Sequence, residues 1–278
     1  GNVRVLDCLL EYGADVNSYG SFYDSALTAA VVAKNTAAAC LLIDAGSELS
    51  RRYCNQPLIW YLAHEQKKYA GSSASSDGEE EGEEEEEDHD DDEPTNSEFV
   101  VLSKLLAAHA ERGTLSTAVN ERHHLHGQPG ADPNEGTTPL HEAAASGCGA
   151  TVAMLLVHGA NPYATAKAMG PSSYCNGHTP LHVSRNRTVA GKLIAAAPGT
   201  VHSRNELGFT PLLLAAQLGD VAFVELLVGA NADVNVRTWD VGFSPATTPL
   251  HVAAERLEEG VVRALLEAGA SVNVNDGM

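Results

Sequence analysis

The sequence predicts an all-α solenoid of stacked helix–turn–helix units joined by hairpin-like loops, and three recurrences predict it. One opening word appears four times: Thr138-Pro139-Leu140-His141, Thr179-Pro180-Leu181-His182, Thr210-Pro211-Leu212-Leu213 and Thr248-Pro249-Leu250-His251. A Leu-Leu or Leu-Ile pair follows each opening, as in Leu155-Leu156, Leu193-Ile194, Leu226-Leu227 and Leu265-Leu266. A Gly-Ala step into a polar turn then closes three of the four copies. A helical unit copied along a line buries its apolar faces against its neighbours. It encloses no interior for a catalytic pocket and presents a long surface instead.

Each part of the unit has a local reason. Thr248 can cap a helix by accepting a first-turn N–H through its hydroxyl. Pro249 suits the first helical turn, where its missing N–H is not needed. Leu250, Val252, Ala253 and Ala254 make a short helix of small apolar side chains. After the break at Glu259-Gly260, Val261 to Leu266 form a second apolar run. Gly269 reads as a left-handed helix end, and Asn273 and Asn275 supply turn chemistry.

The same grammar runs through Ser25–Ser50, Thr138–Asn161 and Thr210–Asn235. Gln56-Pro57-Leu58-Ile59 opens a further copy, which Leu105-Leu106 closes after an interruption. Val3 to Asn17 matches only a second helix and its turn. Ala26 stands in place of the proline in the early copy and Leu213 in place of a histidine. Thr179 to Leu193 is 14 residues where Thr138 to Leu155 is 17, which predicts a shortened first helix or turn there.

These openings, leucine pairs and the Gly-Ala-Asp-Val-Asn ending (13–17) resemble the ankyrin repeat, a unit of about 33 residues with a β-turn and two antiparallel helices. The resemblance covers nearly the whole chain outside two inserts and implies six units and a leading half. The boundaries read 1–17 (half repeat), 18–50, 51–134, 135–163, 164–203, 204–236 and 237–275. The third unit carries an acidic insert at 71–97 and a second insert at 111–129. Units 164–203 and 237–275 have extended hairpins, and 164–203 is degenerate. The chain begins and ends in mid-repeat, so longer flanks are expected.

Formal net charge is −20, from 37 acidic against 17 basic residues. Between Asp77 and Glu93, 14 of 17 positions are acidic; without them the balance is 23 against 17, or −6. Self-repelling charge without an apolar anchor reads as a disordered loop. A loop of this length costs little to close, so a tolerated solvated insertion is one reading. Capture of a basic protein is the other. Direct nucleic-acid binding is disfavoured, because phosphates and this charge repel.

Asp88-His89-Asp90-Asp91-Asp92 lacks the glycine and closing glutamate of a calcium loop. His123-His124-Leu125-His126 in the second insert has no accompanying carboxylate or thiolate spacing and reads as surface loop. His64-Glu65 and His141-Glu142 begin like a zinc-protease signature, but Lys68 and Ala145 occupy the position of the second histidine. No phosphate-cradling glycine–lysine loop and no Gly-x-Ser-x-Gly elbow occurs. The five cysteines show no paired spacing, which fits a reducing, intracellular compartment, cytoplasmic or nuclear.

The resemblance implies a non-catalytic protein–protein interaction scaffold, binding on a concave face and at hairpin tips. Its opening histidines would tie adjacent units together. Candidate partner-binding residues are Glu142 and Ser146 on one first helix, Tyr163, Arg204, Asn205 and Glu206 in hairpins, and Arg237, Trp239, Asp240 and Phe243 in the last hairpin. Trp239 leads, because Trp and Arg dominate interface energetics; it is either a partner anchor or a lid on its neighbour. The expectations are a monomer that needs no metal or cofactor, binds a protein and neither nucleic acid nor membrane. Escort of a basic client by the acidic loop, or a substrate-targeting role in a larger enzyme, are the alternatives.

Overall fold

The computed structural model describes residues 3–19, 23–54, 56–65, 97–123, 136–166, 176–239 and 247–273. Helices follow one another in antiparallel pairs. The leading helix is α1 (Val3–Glu11). Then come α2 (Ala26–Val32) with α3 (Thr36–Asp44), and α4 (Leu58–Glu65) with α5 (Ser97–Glu111). A short α6 (Leu115–Asn120) precedes α7 (Pro139–Ser146) with α8 (Gly149–Val157), and α9 (Pro180–Val183) with α10 (Arg187–Ala196). A 3-10 turn (Pro198–His202) leads to α11 (Pro211–Leu218) with α12 (Val221–Gly229), and α13 (Pro249–Arg256) with α14 (Glu259–Glu267). The one two-stranded ribbon among the described residues joins β1 (Arg52–Tyr53) to antiparallel β2 (Gln56–Pro57).

The openings do what their chemistry requires. Thr138, Thr179, Thr210 and Thr248 are all extended N-caps with proline at the helix start. Ser25 and Thr28 form the equivalent capping box where the proline is missing. The shortened unit is real: α9 is four residues long and ends at an extended Ser184. Second helices end in repeated left-handed turns, at Gly13, Gly46, Gly113, Gly159, Asn231 and Gly269. In the unit with the Gly229-Ala230 step, Gly229 is still helical and Asn231 takes the left-handed place.

One apolar cluster runs without interruption from Leu27 to Ala270 through every pair, with Leu42, Leu105, Leu155, Leu193 and Leu227 almost inaccessible. Asparagines also join the units. Asn17, Asn120 and Asn235 accept the backbone N–H of Glu48, Asn161 and Ser271 at 2.7 to 2.8 Å, each in the unit that follows.

The second insert departs from its reading as surface loop. Residues 115–120 form α6, with Ala118 and Val119 buried, and Asn120 serves the inter-unit ladder. The repeat-ending turn lies at Gly113-Thr114, where Thr114 donates its N–H to the carbonyl of His109 at 2.9 Å. The expected ending at residues 130–134 lies outside the described residues, as does the acidic segment. The visible signal was Val119-Asn120, which repeats Val16-Asn17 and Val234-Asn235.

Nine positions after four of the five caps the chain turns left-handed: Lys34 (φ 56), Gly147 (φ 79), Gly219 (φ 76) and Leu257 (φ 62); the corresponding place after Thr179 is Thr188, inside α10. Leu257 is 88% exposed, so it suffers the backbone strain without burial to offset it. Leu257→Gly is expected to stabilise the protein by roughly 1 kcal/mol, visible as a higher urea midpoint at unchanged slope. An unchanged or lower midpoint would contradict this account of the turn.

Candidate functional site

The hairpins form a row along one edge, built on glycines two positions before the capping threonines. Gly177 has φ 79 and Gly208 φ 81. A Cβ on Gly177 would sit 2.9 Å from Glu206 N, and one on Gly208 2.6 Å from Trp239 N. This closeness lets the next hairpin donate back: Glu206 N–H to the Asn176 carbonyl at 3.0 Å, and Trp239 N–H to the Leu207 carbonyl at 3.3 Å. Arginine reaches forward along the same row. Arg204 Nη1 donates to the Arg237 carbonyl at 2.6 Å, Arg122 Nη1 to the Thr165 carbonyl at 2.5 Å, and Arg52 pairs with Glu121.

Trp239 is thus placed over Gly208, with its Cγ 2.9 Å from where a Cβ would be, while half of the residue remains exposed. It is a lid on its neighbour and an exposed aromatic at once. Tyr163 repeats the arrangement one extended hairpin earlier. It is 48% exposed, and its Oη would lie 2.8 Å from a Cβ on Gly199 in the next unit's 3-10 turn. Arg204 and Glu206 are exposed and Arg237 is half-buried.

Two candidates are structural. Ser146 is buried, and its hydroxyl donates to the carbonyl of Ala143 at 2.9 Å, within its own helix. Asn205 is 2% exposed and its Oδ1 accepts from Leu207 N and Phe209 N at 3.0 and 2.8 Å, which folds the hairpin tip. Both lost their surface role to local backbone satisfaction, which short polar side chains favour. Asp240 and Phe243 lie outside the described residues.

Glu142 is half-buried and engaged: its Oε2 is 2.9 Å from His64 Nδ1 on α4. His64 stacks on Trp60 with ring centroids 5.1 Å apart, and buried His123 tilts against the same ring at 4.3 Å. Trp60 Nε1 donates to Thr137 Oγ1 at 2.8 Å. The sequence does not signal this cluster, because its members are spread from Trp60 to Glu142 and belong to no shared word. Among the described residues no group of three or more His, Cys, Asp or Glu side chains could hold a metal. The described cysteines Cys8, Cys40, Cys54 and Cys148 are free thiols.

The opening histidines join unit to unit. His141 Nδ1 accepts from the Thr138 hydroxyl at 2.8 Å, and its Nε2 donates to the His178 carbonyl at 3.0 Å. His182 does the same with Thr179 at 2.8 Å and the Phe209 carbonyl at 3.0 Å. Only a neutral imidazole can accept at one nitrogen and donate at the other. Burial pushes each down to about 4, against the favourable carbonyl bond. At the third interface Leu213 replaces the histidine and packs with Val236, Val252 and Phe209. There the Thr247 carbonyl accepts from Thr238 N–H at 2.9 Å, so no acceptor is orphaned.

A family model of three ankyrin-repeat copies matches residues 169–276, and a single-repeat model matches 135–167. The chain belongs to the ankyrin-repeat family. Human Rabankyrin-5 is 31% identical over 189 residues, 52% of this chain and 15% of Rabankyrin-5. Human neurogenic locus notch homolog protein 4 is 39% identical over 101 residues, 35% of this chain and 5% of that protein. The NF-kappa-B inhibitor cactus of Drosophila melanogaster is 31% identical over 93 residues, 34% of this chain and 18% of cactus. The chain therefore spans a small fraction of these relatives. Ankyrin repeats are generic protein-interaction modules, and proteins of this family are generally non-catalytic. No described helix of this array is long and apolar enough to cross a membrane.

Proposed function

We propose that this ankyrin array is a non-catalytic scaffold that holds a protein partner along its hairpin row and inner face. The observation that carries the reading is Trp239, a half-exposed indole seated on Gly208 and flanked by Arg204 and Arg237. A large aromatic held rigid by backbone contact loses little entropy on binding, and Trp and Arg are the residue types that dominate interface energy. Exposed Tyr163 extends the same edge. A relative whose name makes it an inhibitor of NF-kappa-B supports a role exercised on another protein. We place this function inside the cell, in cytoplasm or nucleus, and the array acts as a monomer.

Trp239→Ala is expected to weaken partner capture by the folded array at least tenfold while leaving the thermal midpoint within a few degrees. Partner binding at wild-type strength by a correctly folded Trp239→Ala protein would remove this edge from the interface.

The 14 acids between Asp77 and Glu93 favour a second reading, escort of a basic client. Deleting residues 72–96 should then abolish both affinity and its steep salt dependence, whereas the hairpin-edge reading expects neither to change.

A further inference from the structure

We infer that Lys34 is a clamp that closes the base of the acidic insertion and ties both of its stems to the preceding repeat. Glu65 is the last residue of α4 and Glu98 the second of α5, the two helices between which the acidic segment is inserted. Lys34 Nζ lies 2.5 Å from Glu98 Oε1 and 3.8 Å from Glu65 Oε2. Both carboxylates are buried, with 4% and 10% of their side chains exposed, while Lys34 keeps 38%. Two carboxylates brought together out of water repel, and neither is tolerated there without a countercharge.

The backbone around Lys34 points the same way. Lys34 occupies the left-handed place that Gly147 and Gly219 fill in other units, with φ 56. A lysine there gains nothing from the turn itself; it differs from Leu257 in the same place, which is 88% exposed, in that its side chain reaches two buried carboxylates. Beside it the Thr36 hydroxyl donates to the Ser97 carbonyl at 3.4 Å, securing the residue at which α5 starts. Farther along, Lys104 pairs with Asp44, and Arg112 Nη1 donates to the Ser47 carbonyl at 2.6 Å.

Helix α5 is therefore fastened to the preceding repeat at three levels of its length. In the other units a tight turn from the first helix positions the second. Where the chain is interrupted between Glu65 and Ser97, polar contacts to α3 and the turns on either side of it supply that restraint. The acidic segment can then vary without loosening the stack that carries it.

Hydrogen exchange of the full chain tests the clamp. Lys34→Met is expected to speed exchange in the last turn of α4 and the first turn of α5 at least tenfold, with α11 to α14 unchanged. Lys34→Arg should keep wild-type protection, and adding Glu98→Gln to Lys34→Met should restore part of it, because one buried charge is removed. Lys34→Gly decides between side chain and backbone. It relieves the same strain as Leu257→Gly, yet is expected to loosen these turns where Leu257→Gly tightens its own. Should Lys34→Met fail to fold, Glu98→Gln on its own is expected to give the same local loosening. Slower exchange in Lys34→Gly, or unchanged exchange in folded Lys34→Met or Glu98→Gln, overturns the clamp.

Discussion

Lowering the pH from 7 towards 4 is expected to weaken the array through His141 and His182, and replacing both with leucine should flatten that part of the pH profile. The unfolded chain binds protons at an ordinary histidine pKa of about 6.5, whereas the folded state holds both groups down at about 4. Between these values the unfolded state carries the extra protons, so stability rises with pH. The contribution is fully present above about pH 6.5 and is lost as pH falls to about 4. Each histidine can account for on the order of 3 kcal/mol across the window. Protonation also puts a hydrogen on Nδ1, where the threonine hydroxyl now donates at 2.8 Å.

The leucine variants carry a cost at neutral pH, of about 1–3 kcal/mol each for the lost bonds. Leu213 shows that the fold tolerates this side chain when apolar neighbours and another donor are in place. Urea midpoints from pH 4.5 to 7.5 check the prediction. Its signature is a slope reduced by about one proton for each histidine removed. Parallel profiles for wild type and the double variant would show that these histidines do not titrate with folding.

The second large effect is expected at Leu227. This side chain is fully buried in the continuous core, and α12 packs on α10 on one side and α14 on the other. Leu227→Ala should cost roughly 2–5 kcal/mol, the sum of lost burial and residual cavity. Leu226 is only half-buried, so Leu226→Ala should cost clearly less. In a linear stack the loss spreads to the neighbours, because each unit is stable chiefly through its interfaces. Exchange protection is therefore expected to fall in α10 and α14 as well as in α12. Loosening confined to α12 would contradict the nearest-neighbour core.

Much of the architecture was legible because it rests on local chemistry. Threonine caps, first-turn prolines and left-handed glycines act within a few residues, and repetition multiplies the signal. The bridging role of the opening histidines was legible by resemblance, and His141 and His182 fulfil it through the His178 and Phe209 carbonyls. Legibility ended where the local word was altered. A repeat-ending turn at Gly113-Thr114 and the Asn120 bond to the next unit stand earlier than the expected ending, and only the Val119-Asn120 pair marked them.

The candidate site was legible by position more than by residue. Hairpin membership of Arg204, Glu206, Arg237 and Trp239 followed from spacing. The burial of Ser146 and Asn205 did not, because a short polar side chain can equally face a partner or satisfy its own turn. The contact of Trp239 with Gly208 joins residues 31 apart in sequence through a backbone approach that only a glycine allows.

The sequence by itself determined the repeated unit, its ankyrin character, the degenerate short helix and the concentration of acid in one segment. These follow from capping, periodicity and charge, which act between near neighbours in the chain. Only the tertiary structure decided which polar residues of the hairpins and first helices are buried, how Trp239 is seated and that Lys34 spans Glu65 and Glu98. Those depend on stacking one unit against the next, where separation along the chain no longer indicates distance in space.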